Sequence, residues 1–403
     1  MKIIYFLSNI TYPPLEGAHE QTLNVIKEIS LHSNSVELFV FVKKLSEFDM
    51  DLFFKDNPNI KVIKVIEDSN SYSFRLFFYF LILLVNRKIF FNIFDIKNFD
   101  FLKSYDVIHL EGIPLLPFAL FLNKKNIVFS PIDAWSLRQK RLLKNESNII
   151  KKFFRFLNYK LSYYIEYKNF NKLNSIHFVS KDDAKYYNNF KLNNIINIPV
   201  ALPDFYFSRN IELDNSKTIV LIGDIRVNYI YEGIYLFFKN NYPEVQKNFS
   251  QIKFIVVSKS IPFGKLKDLT INNKNISFLP WVDDLYDLCC KSTAIVLNDL
   301  NGTGQKNRTI MSLASGRPVL GTNFAFQGIE INNAEHGYIY KIDNELNVSL
   351  MKVLNDPILA DKIGIAGKKY AYTNFSMHSV SKQWLSLYSN IAKREVYAVS
   401  RSL

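Results

Sequence analysis

Gly302 and Gly304 stand in a loop that follows an apolar segment, and the predicted helix that this loop opens carries Lys306 and Arg308 in its first turn. Glycines let the backbone approach an anion closely, N–H groups at the start of a helix point toward it, and basic side chains supply the opposite charge. This spacing predicts a loop that binds phosphate. The same pattern also fits an ordinary strand-to-helix turn with solvated basic residues.

The stretch around this loop resembles the C-terminal signature of the GT-B glycosyltransferases, and most closely that of bacterial sugar transferases of envelope polysaccharide synthesis. The matching residues are Gly302, Gly304, Lys306, Arg308, Ala314, Gly316, Pro318 and Val319. The resemblance implies that the donor diphosphate is bound by Gly302, Thr303, Gly304, Lys306 and Arg308. The sequence departs from the wider retaining group at Thr303 and Met311, where those enzymes carry two glutamates and the second glutamate holds the donor ribose.

Two further segments resemble the donor-binding parts of the same family. Gly223 follows a predicted strand over Thr218 to Ile222 and stands where the family has a glycine loop at the phosphate end of the site, with Arg226 close behind. The family packs the nucleotide base at the positions of Leu279, Trp281 and Val282. The alternatives are a plain exposed arginine at position 226 and a buried core tryptophan at position 281.

In the N-terminal half, acidic residues follow two predicted strands. The strand over Tyr105 to Gly112 brings His109 and Glu111 to its end, and the strand over Asn126 to Ser130 is followed by Asp133. Open α/β sheets bind ligands at the carboxyl ends of their strands, and a carboxylate or imidazole there can accept a proton. We therefore predict that the catalytic residues are Glu111, Asp133 and His109, with surface acids or helix caps as the alternative.

The resemblance also implies an acceptor-binding loop before the first helix. Gly17, His19 and Glu20 stand at the edge of this loop, although Gly17 also fits a helix start and His19 a solvated first-turn residue. No carboxylate pair has the spacing of a metal site. We therefore expect a transferase that needs no metal and no cofactor, with the nucleotide sugar as co-substrate.

The length and the order of the elements predict an α/β protein with two domains. A chain of 403 residues exceeds what one core usually organises, and it opens with a strand, a glycine-bearing loop and a helix. The resemblance implies the GT-B architecture, in which two Rossmann-like doubly wound domains face a cleft and a C-terminal helix crosses back to the N-terminal domain. The expected bounds are 1–202 for the acceptor domain, 203–217 for a linker, 218–375 for the nucleotide-sugar domain, and 376–403 for the crossing helix and tail.

The charge balance predicts an anionic partner. Lys and Arg total 50 against 37 Asp and Glu, a net charge of +13, which suits a membrane surface, a nucleic acid or a phosphorylated substrate. Two tracts, Ser71 to Ile93 and Arg138 to Lys172, mix basic with apolar residues and predict a peripheral face for anionic lipid. The alternatives are a buried helix for the first tract and a solvated helix with core aromatics for the second.

Three features predict a cytoplasmic protein, with the inner membrane face as a candidate site of attachment. The longest apolar run, Leu76 to Val85, is shorter than the roughly 20 residues that span a bilayer. The adjacent Cys289 and Cys290 have the spacing of neither a metal site nor a disulfide framework, which indicates buried thiols in a reducing compartment. The first residues suit a buried strand better than a signal peptide.

These features together predict a glycosyltransferase that moves a sugar from a nucleotide-diphosphate donor to a glycan or lipid-linked acceptor. The resemblance implies a role in surface polysaccharide synthesis, of capsule, lipopolysaccharide or exopolysaccharide. A non-catalytic subunit that binds glycan or a partner enzyme is the alternative that Thr303 and Met311 favour. Two other enzymes also stay open, a nucleotide-sugar 2-epimerase and a phage-type DNA glucosyltransferase, although nucleic acid is the less favoured partner.

Overall fold

The computed structural model describes residues 1–15, 17–67, 99–122, 124–144, 146, 148–208, 217–280, 282, 284–302, 304–341 and 345–400. Two compact units contain these residues: Met1–Pro199 together with Val380–Leu403, and Val200–Ser379. The predicted membrane tract Ser71 to Ile93 lies outside the described residues, as do Trp281 and Thr303.

The described residues of the first unit form a parallel sheet of seven strands. The strands are β1 (Lys2–Ser8), β2 (Ser35–Val42), β3 (Ile60–Glu67), β4 (Val107–Glu111), β5 (Ile127–Ile132), β6 (Ile176–Phe178) and β7 (Ile195–Asn197). Their spatial order is β3-β2-β1-β4-β5-β6-β7, so the strand order reverses between β1 and β4. Central strands such as β1 are continuous apolar runs because both faces of a parallel sheet are covered.

The helices of this unit connect successive parallel strands. They are α1 (Gly17–Leu31), α2 (Met50–Asp56), α3 (Leu116–Leu122), α4 (Trp135–Lys144), α5 (Ile149–Asn169) and α6 (Lys181–Tyr186). Asp49 caps α2 by accepting a hydrogen bond from the Leu52 amide, and Asn148 caps α5 by accepting one from the Lys151 amide. One side of the sheet contributes Phe6, Phe129 and Phe178 to a buried apolar cluster.

The second unit repeats the same plan with six parallel strands in its described ranges. They are β8 (Thr218–Ile222), β9 (Lys253–Val257), β10 (Ile276–Leu279), β11 (Ala294–Leu297), β12 (Val319–Thr322) and β13 (Tyr338–Tyr340). Their order is β10-β9-β8-β11-β12-β13, so the reversal falls between β8 and β11. The helices are α7 (Phe205–Ser208), α8 (Asn228–Leu236), α9 (Tyr242–Asn248), α10 (Gly264–Thr270), α11 (Leu285–Lys291), α12 (Asn307–Ala314), α13 (Glu345–Asn355), α14 (Pro357–Phe375) and α15 (Met377–Ser400).

Most of the last helix, α15, packs in the first unit. The Trp384 ring lies 4.4 Å from the His177 ring and 5.1 Å from the His109 ring, measured between centroids. The Tyr388 hydroxyl forms a 3.0 Å hydrogen bond with the Tyr5 hydroxyl. Residues far apart in the chain therefore pack together in one core.

The prediction of an α/β protein with two doubly wound sheets is confirmed. The predicted linker 203–217 differs from the structure at its start. Leu202 donates its amide to the Phe375 carbonyl at 2.7 Å, and the Tyr206 ring packs edge-on against Tyr286 at 4.8 Å. The chain therefore enters the core of the second unit before residue 203, while residues 209–216 lie outside the described ranges.

None of the helices that the structure describes is both long enough and apolar enough to cross a bilayer.

Candidate functional site

The sheet of the second unit brings the two predicted phosphate loops together. One follows β8 and begins at Gly223; the other follows β11 and runs from Asn298 to Lys306. Strands β8 and β11 are parallel neighbours at the point where the strand order reverses. Ligands of open α/β sheets bind at this point, outside the carboxyl ends of the strands.

The loop after β11 depends on glycine at two positions. Gly302 has a φ of 142° and Gly304 a φ of 70°, conformations that residues with a side chain rarely adopt. A Cβ on Gly302 would lie 3.3 Å from the Nζ of Lys306 and 3.7 Å from the Tyr229 hydroxyl. The missing side chain therefore leaves bare backbone beside an amine and a hydroxyl.

Lys306 is the N-cap residue of α12, one position before the helix in which it was predicted. Its Nζ donates a hydrogen bond to the Phe324 carbonyl at 2.5 Å, in the loop that follows β12. Gln305 also reaches this loop, since its side-chain amide donates to the Gly328 carbonyl at 2.9 Å. Two neighbouring loops thus hold the lysine amine at the edge of the sheet.

Arg308 forms an ion pair that the sequence did not predict. Its Nη2 lies 2.5 and 2.6 Å from the two carboxylate oxygens of Asp299, whose side chain is buried. Such a two-oxygen pair balances the guanidinium charge within the protein. Arg308 therefore fixes the loop through Asp299, and its contact with the diphosphate stays a prediction.

Met311 occupies the position at which the sequence resemblance implies a ribose-binding acid. The side chain is partly buried and packs against the apolar cluster that contains Ile310 and Leu313. The methionine thioether is only a weak, uncharged hydrogen-bond acceptor, so it does not replace a carboxylate as the partner of a ribose hydroxyl.

The loop after β8 is shaped by close packing and by one ion pair. A Cβ on Gly223 would stand 2.5 Å from the Cγ2 of Ile230, so glycine is required for α8 to approach the strand. Arg226 donates to the Asp224 carboxylate, with a shortest distance of 2.6 Å, and this contact lowers the pKa of Asp224. Arg226 is thus partly neutralised by Asp224. The Ile225 amide donates to the Ser258 hydroxyl at 3.0 Å, which fixes the turn.

Two of the residues predicted to hold the base, Leu279 and Val282, lie at or just after the end of β10. Leu279 and Val282 are half-buried, and the Leu279 carbonyl accepts a hydrogen bond from the Ser258 amide at 3.1 Å. The predicted base and phosphate segments therefore share one edge of the sheet through Ser258.

In the first unit, Glu111 lies where the strand order reverses between β1 and β4. Its Oε1 accepts a 2.7 Å hydrogen bond from the Thr22 hydroxyl of α1. Burial raises the pKa of Glu111 to about 7, while the Thr22 hydrogen bond opposes this change. A carboxyl group with this pKa is present in both protonation states near neutral pH, which suits general acid–base chemistry.

The backbone around Glu111 is fixed by Ser8 and Gly112. The Ser8 hydroxyl donates to the Glu111 carbonyl at 2.8 Å. Gly112 has a φ of 104°, and a Cβ there would lie 1.8 Å from the same hydroxyl oxygen. The end of β4 is therefore locked by a contact that only glycine permits.

His109 does not reach the edge of the sheet with its side chain. The ring is buried, with Nδ1 2.6 Å from the Tyr388 hydroxyl and Nε2 2.8 Å from the Ser130 hydroxyl. Burial lowers its pKa well below the usual value, so the ring is neutral. Because both nitrogens are engaged inside the unit, we replace the prediction of a catalytic His109 with a structural role.

The remaining predicted residues of the first unit lie along the same edge. Asp133 is half-buried after β5, and its charge contributes to raising the pKa of the buried Asp183 to about 6, an increase caused mainly by burial. Gly17 begins α1, with the half-buried His19 and the exposed Glu20 in its first turn. Thr22, one turn further along α1, is the residue that contacts Glu111.

Five residues that shape the two edges are absent from the sequence predictions: Ser8, Thr22, Tyr229, Ser258 and Asp299. Ser258 directly follows β9 and Asp299 lies two residues after β11, positions at the ends of strands that could have indicated them. Thr22 and Tyr229 lie within helices, where the sequence gives no signal of what they contact.

Among the described ranges, no group of three or more His, Cys, Asp and Glu side chains could hold a metal ion.

A comparison with known protein families finds a match within the second unit. Residues 216–356 match the model of the family described as "Glycosyl transferases group 1". No curated protein matches the chain.

Solved structures resemble the chain over nearly its whole length. A glycosyltransferase from Rickettsia africae ESF-5 is 16% identical, with a TM-score of 0.65, over 97% of this chain and 98% of that one. Alr3699/HepE from Anabaena, solved with UDP, is 12% identical, with a TM-score of 0.65, over 97% and 100%. WaaG, a glycosyltransferase involved in lipopolysaccharide biosynthesis, is 13% identical, with a TM-score of 0.62, over 96% and 99%.

Proposed function

We propose that this chain, which has the GT-B fold and a second unit matching the group 1 glycosyltransferases, transfers a sugar from a nucleotide-diphosphate donor. The observation that carries this proposal is the Lys306 amine held beside the bare backbone of Gly302. A cation fixed in advance stabilises the negative charge that develops on a departing diphosphate. A protein of similar fold, HepE, was solved with UDP and with UDP-glucose, which supports this choice of donor class.

Glu111 is the proposed proton acceptor in the first unit. In its ionised form it takes the proton of the acceptor hydroxyl while the hydroxyl oxygen bonds to the anomeric carbon of the donor. The bond from that carbon to the diphosphate breaks, and the diphosphate leaves with the electron pair. Lys306 and the N–H groups of the loop stabilise the negative charge of the departing diphosphate, so the proposed reaction requires no metal ion.

The proposed acceptor is a glycan or a lipid-linked sugar of a surface polysaccharide, and the proposed location is the cytoplasm. WaaG, whose fold is similar, is described as involved in lipopolysaccharide biosynthesis, which supports this acceptor class. A hydroxyl acceptor also fits a carboxyl group whose pKa is about 7, because such a group accepts a proton at neutral pH.

A donor screen tests the proposal. The protein is titrated by calorimetry with UDP-, GDP-, ADP- and CMP-linked sugars, and each mixture is then analysed for free nucleotide and for altered sugar. We expect one nucleotide to bind and its sugar to be transferred or slowly hydrolysed. Binding by none of these donors contradicts the proposal, and an epimerised donor indicates a 2-epimerase instead.

Met311 favours a second candidate, a non-catalytic subunit that binds glycan. An apolar side chain occupies the position of the family's ribose-binding acid and packs into a core cluster. In the same screen this candidate predicts glycan binding without nucleotide binding. Duplex DNA serves as a further ligand, since salt-dependent retention of DNA indicates the DNA-modifying alternative.

A further inference from the structure

Helix α5 carries a large apolar face that nothing described in the structure covers. Its second half joins the core, since Ile165 is buried and the Tyr163 ring packs against Phe190 at 5.0 Å. The first half extends beyond this packing. Six of its large apolar side chains are exposed, namely Ile149, Ile150, Phe153, Phe154, Phe156 and Leu157.

These six side chains, the α5 apolar face, lie on one side of the helix. At about 100° per residue they fall within an arc of roughly 160°, while Lys151, Lys152 and Arg155 lie on the opposite side. Ile149 is 83% exposed, and Phe153 and Phe154 are 58% and 59% exposed. Contiguous apolar surface of this kind marks an interaction site. The exposure of Phe153, Phe154 and Phe156 also shows that these aromatics of the predicted basic tract are not core residues.

The charge around this face is strongly positive. Residues 135–160, which span α4 and the first half of α5, contain eight Lys and Arg and a single acid, Glu146. Glu146 pairs with Arg155 at 2.8 Å, while Arg138, Lys140, Lys144, Lys151, Lys152 and Lys160 are exposed. The Lys160 amine lies 5.6 Å from the centre of the Phe156 ring, at the edge of the face.

We propose that the α5 apolar face docks on a membrane surface that contains anionic lipid. The apolar side chains enter the boundary between headgroups and acyl chains, and the surrounding lysines contact lipid phosphates. A second copy of this chain would place two like-charged surfaces against each other, which disfavours self-association. Nucleic acid would match the charge but would leave Ile149, Ile150 and Leu157 in water.

Vesicle sedimentation tests this proposal with the full-length chain. The probes are vesicles of phosphatidylcholine alone and of phosphatidylcholine with phosphatidylglycerol in a three-to-one ratio, each at low and high salt. We expect binding to the anionic vesicles that is at least about tenfold stronger than to the neutral ones and that weakens with salt.

Two variants and one control separate the contributions. Phe153→Ser/Phe154→Ser and Lys151→Glu/Lys152→Glu should each weaken vesicle binding by about tenfold or more. The control Ile358→Ser/Ile365→Ser removes two apolar side chains of α14 in the second unit that are 83% and 67% exposed, and it should bind as wild type does. Circular dichroism and thermal unfolding confirm that each variant is folded.

Three results would overturn the proposal. The first is equal binding of neutral and anionic vesicles, or of neither. The second is wild-type binding by folded Phe153→Ser/Phe154→Ser. The third is a lipid-free dimer in sedimentation velocity that this variant abolishes, because the face is then an interface between two copies. This test measures lipid binding alone, so its outcome does not depend on the proposed transferase activity.

Discussion

The two units place different chemistry at the same point of the same sheet topology. In the first unit, the reversal between β1 and β4 holds an acid, Glu111, whose hydrogen-bond partner Thr22 is neutral. In the second unit, the reversal between β8 and β11 is followed by glycines and by a lysine. Burial of a lone acid raises its pKa, whereas bare backbone and a cation favour an anion. The shared topology offers a ligand the same position in each unit, and the side chains there favour different chemistry.

The buried polar side chains beneath the two edges also form different hydrogen-bond networks. Under the first edge, a chain of side chains runs from the Tyr388 hydroxyl through His109 and Ser130 to His177. Under the second edge, Asn298 donates to the Gly233 carbonyl and accepts a 2.9 Å hydrogen bond from the Tyr340 hydroxyl. Both networks satisfy buried polar groups, which would otherwise destabilise the fold.

Replacing Glu111 is expected to have the largest effect, because it removes the proposed proton acceptor while keeping the shape of the side chain. Glu111→Gln should lower kcat/KM by about 10²–10⁴-fold. In the wild type, kcat/KM should rise as the pH passes about 7, because only the ionised carboxylate accepts a proton, and the variant should lose this rise. The measurement is kcat/KM against pH with the donor identified in the screen.

Glu166→Gln is the matched control for Glu111. Burial also raises the pKa of Glu166 to about 7, but its carboxylate accepts hydrogen bonds from Ser136 inside the unit. Both acids have folded pKa values above the ordinary 4.5. Each therefore lowers stability progressively as the pH rises from about 4.5 to about 7, and each Gln variant should flatten that dependence. Only Glu111→Gln should change the pH profile of transfer; equal changes in both would assign the effect to folding.

Lys306→Met tests the anion site of the second unit. Losing one preorganised group that stabilises the leaving diphosphate should lower kcat by about 10²-fold. Calorimetry should show weaker binding of the nucleoside diphosphate, and the melting temperature should stay close to that of the wild type. Lys362→Met, on the exposed surface of α14 in the same unit, should be neutral. Unchanged turnover in Lys306→Met contradicts the proposed site.

Arg308→Gln tests whether Arg308 stabilises the loop through Asp299 or binds the donor diphosphate. It leaves the buried carboxylate of Asp299 without its ion-pair partner, which should cost about 2 kcal/mol, a value reduced because Arg308 is partly exposed. Adding Asp299→Asn should restore most of the loss, and urea unfolding of both variants measures it. If Arg308→Gln alone has normal stability but binds the donor weakly, Arg308 contacts the diphosphate.

Tyr388→Phe should have the smallest effect. It removes a hydroxyl that hydrogen-bonds to His109 and to Tyr5, which should lower the free energy of unfolding by about 1–2 kcal/mol. Because this network lies beneath the edge, kcat/KM should be unchanged when measured well below the melting temperature. A large loss of activity at full stability would show that the network takes part in the reaction.

The sequence by itself determined the fold class and the glycine positions of the loop after β11. Apolar runs of strand length alternating with helical segments predict parallel sheets covered on both faces, and the structure contains such strands. Gly302 and Gly304 are informative for a local reason, because backbone at positive φ favours glycine whatever surrounds it. These features depend on residues close together in the chain, so their spacing is visible in the sequence.

The tertiary structure alone decided which partner each charged or polar group has. Glu111 pairs with Thr22, 89 residues away, and His109 with Tyr388, 279 residues away. Even Arg308 and Asp299, nine residues apart, are joined only because the loop after β11 turns back on the start of α12. A side chain's pKa and its freedom to meet a ligand depend on such contacts. Folding therefore paired Arg308 with Asp299 and buried His109, while it left Glu111 and Lys306 at the edges of their sheets.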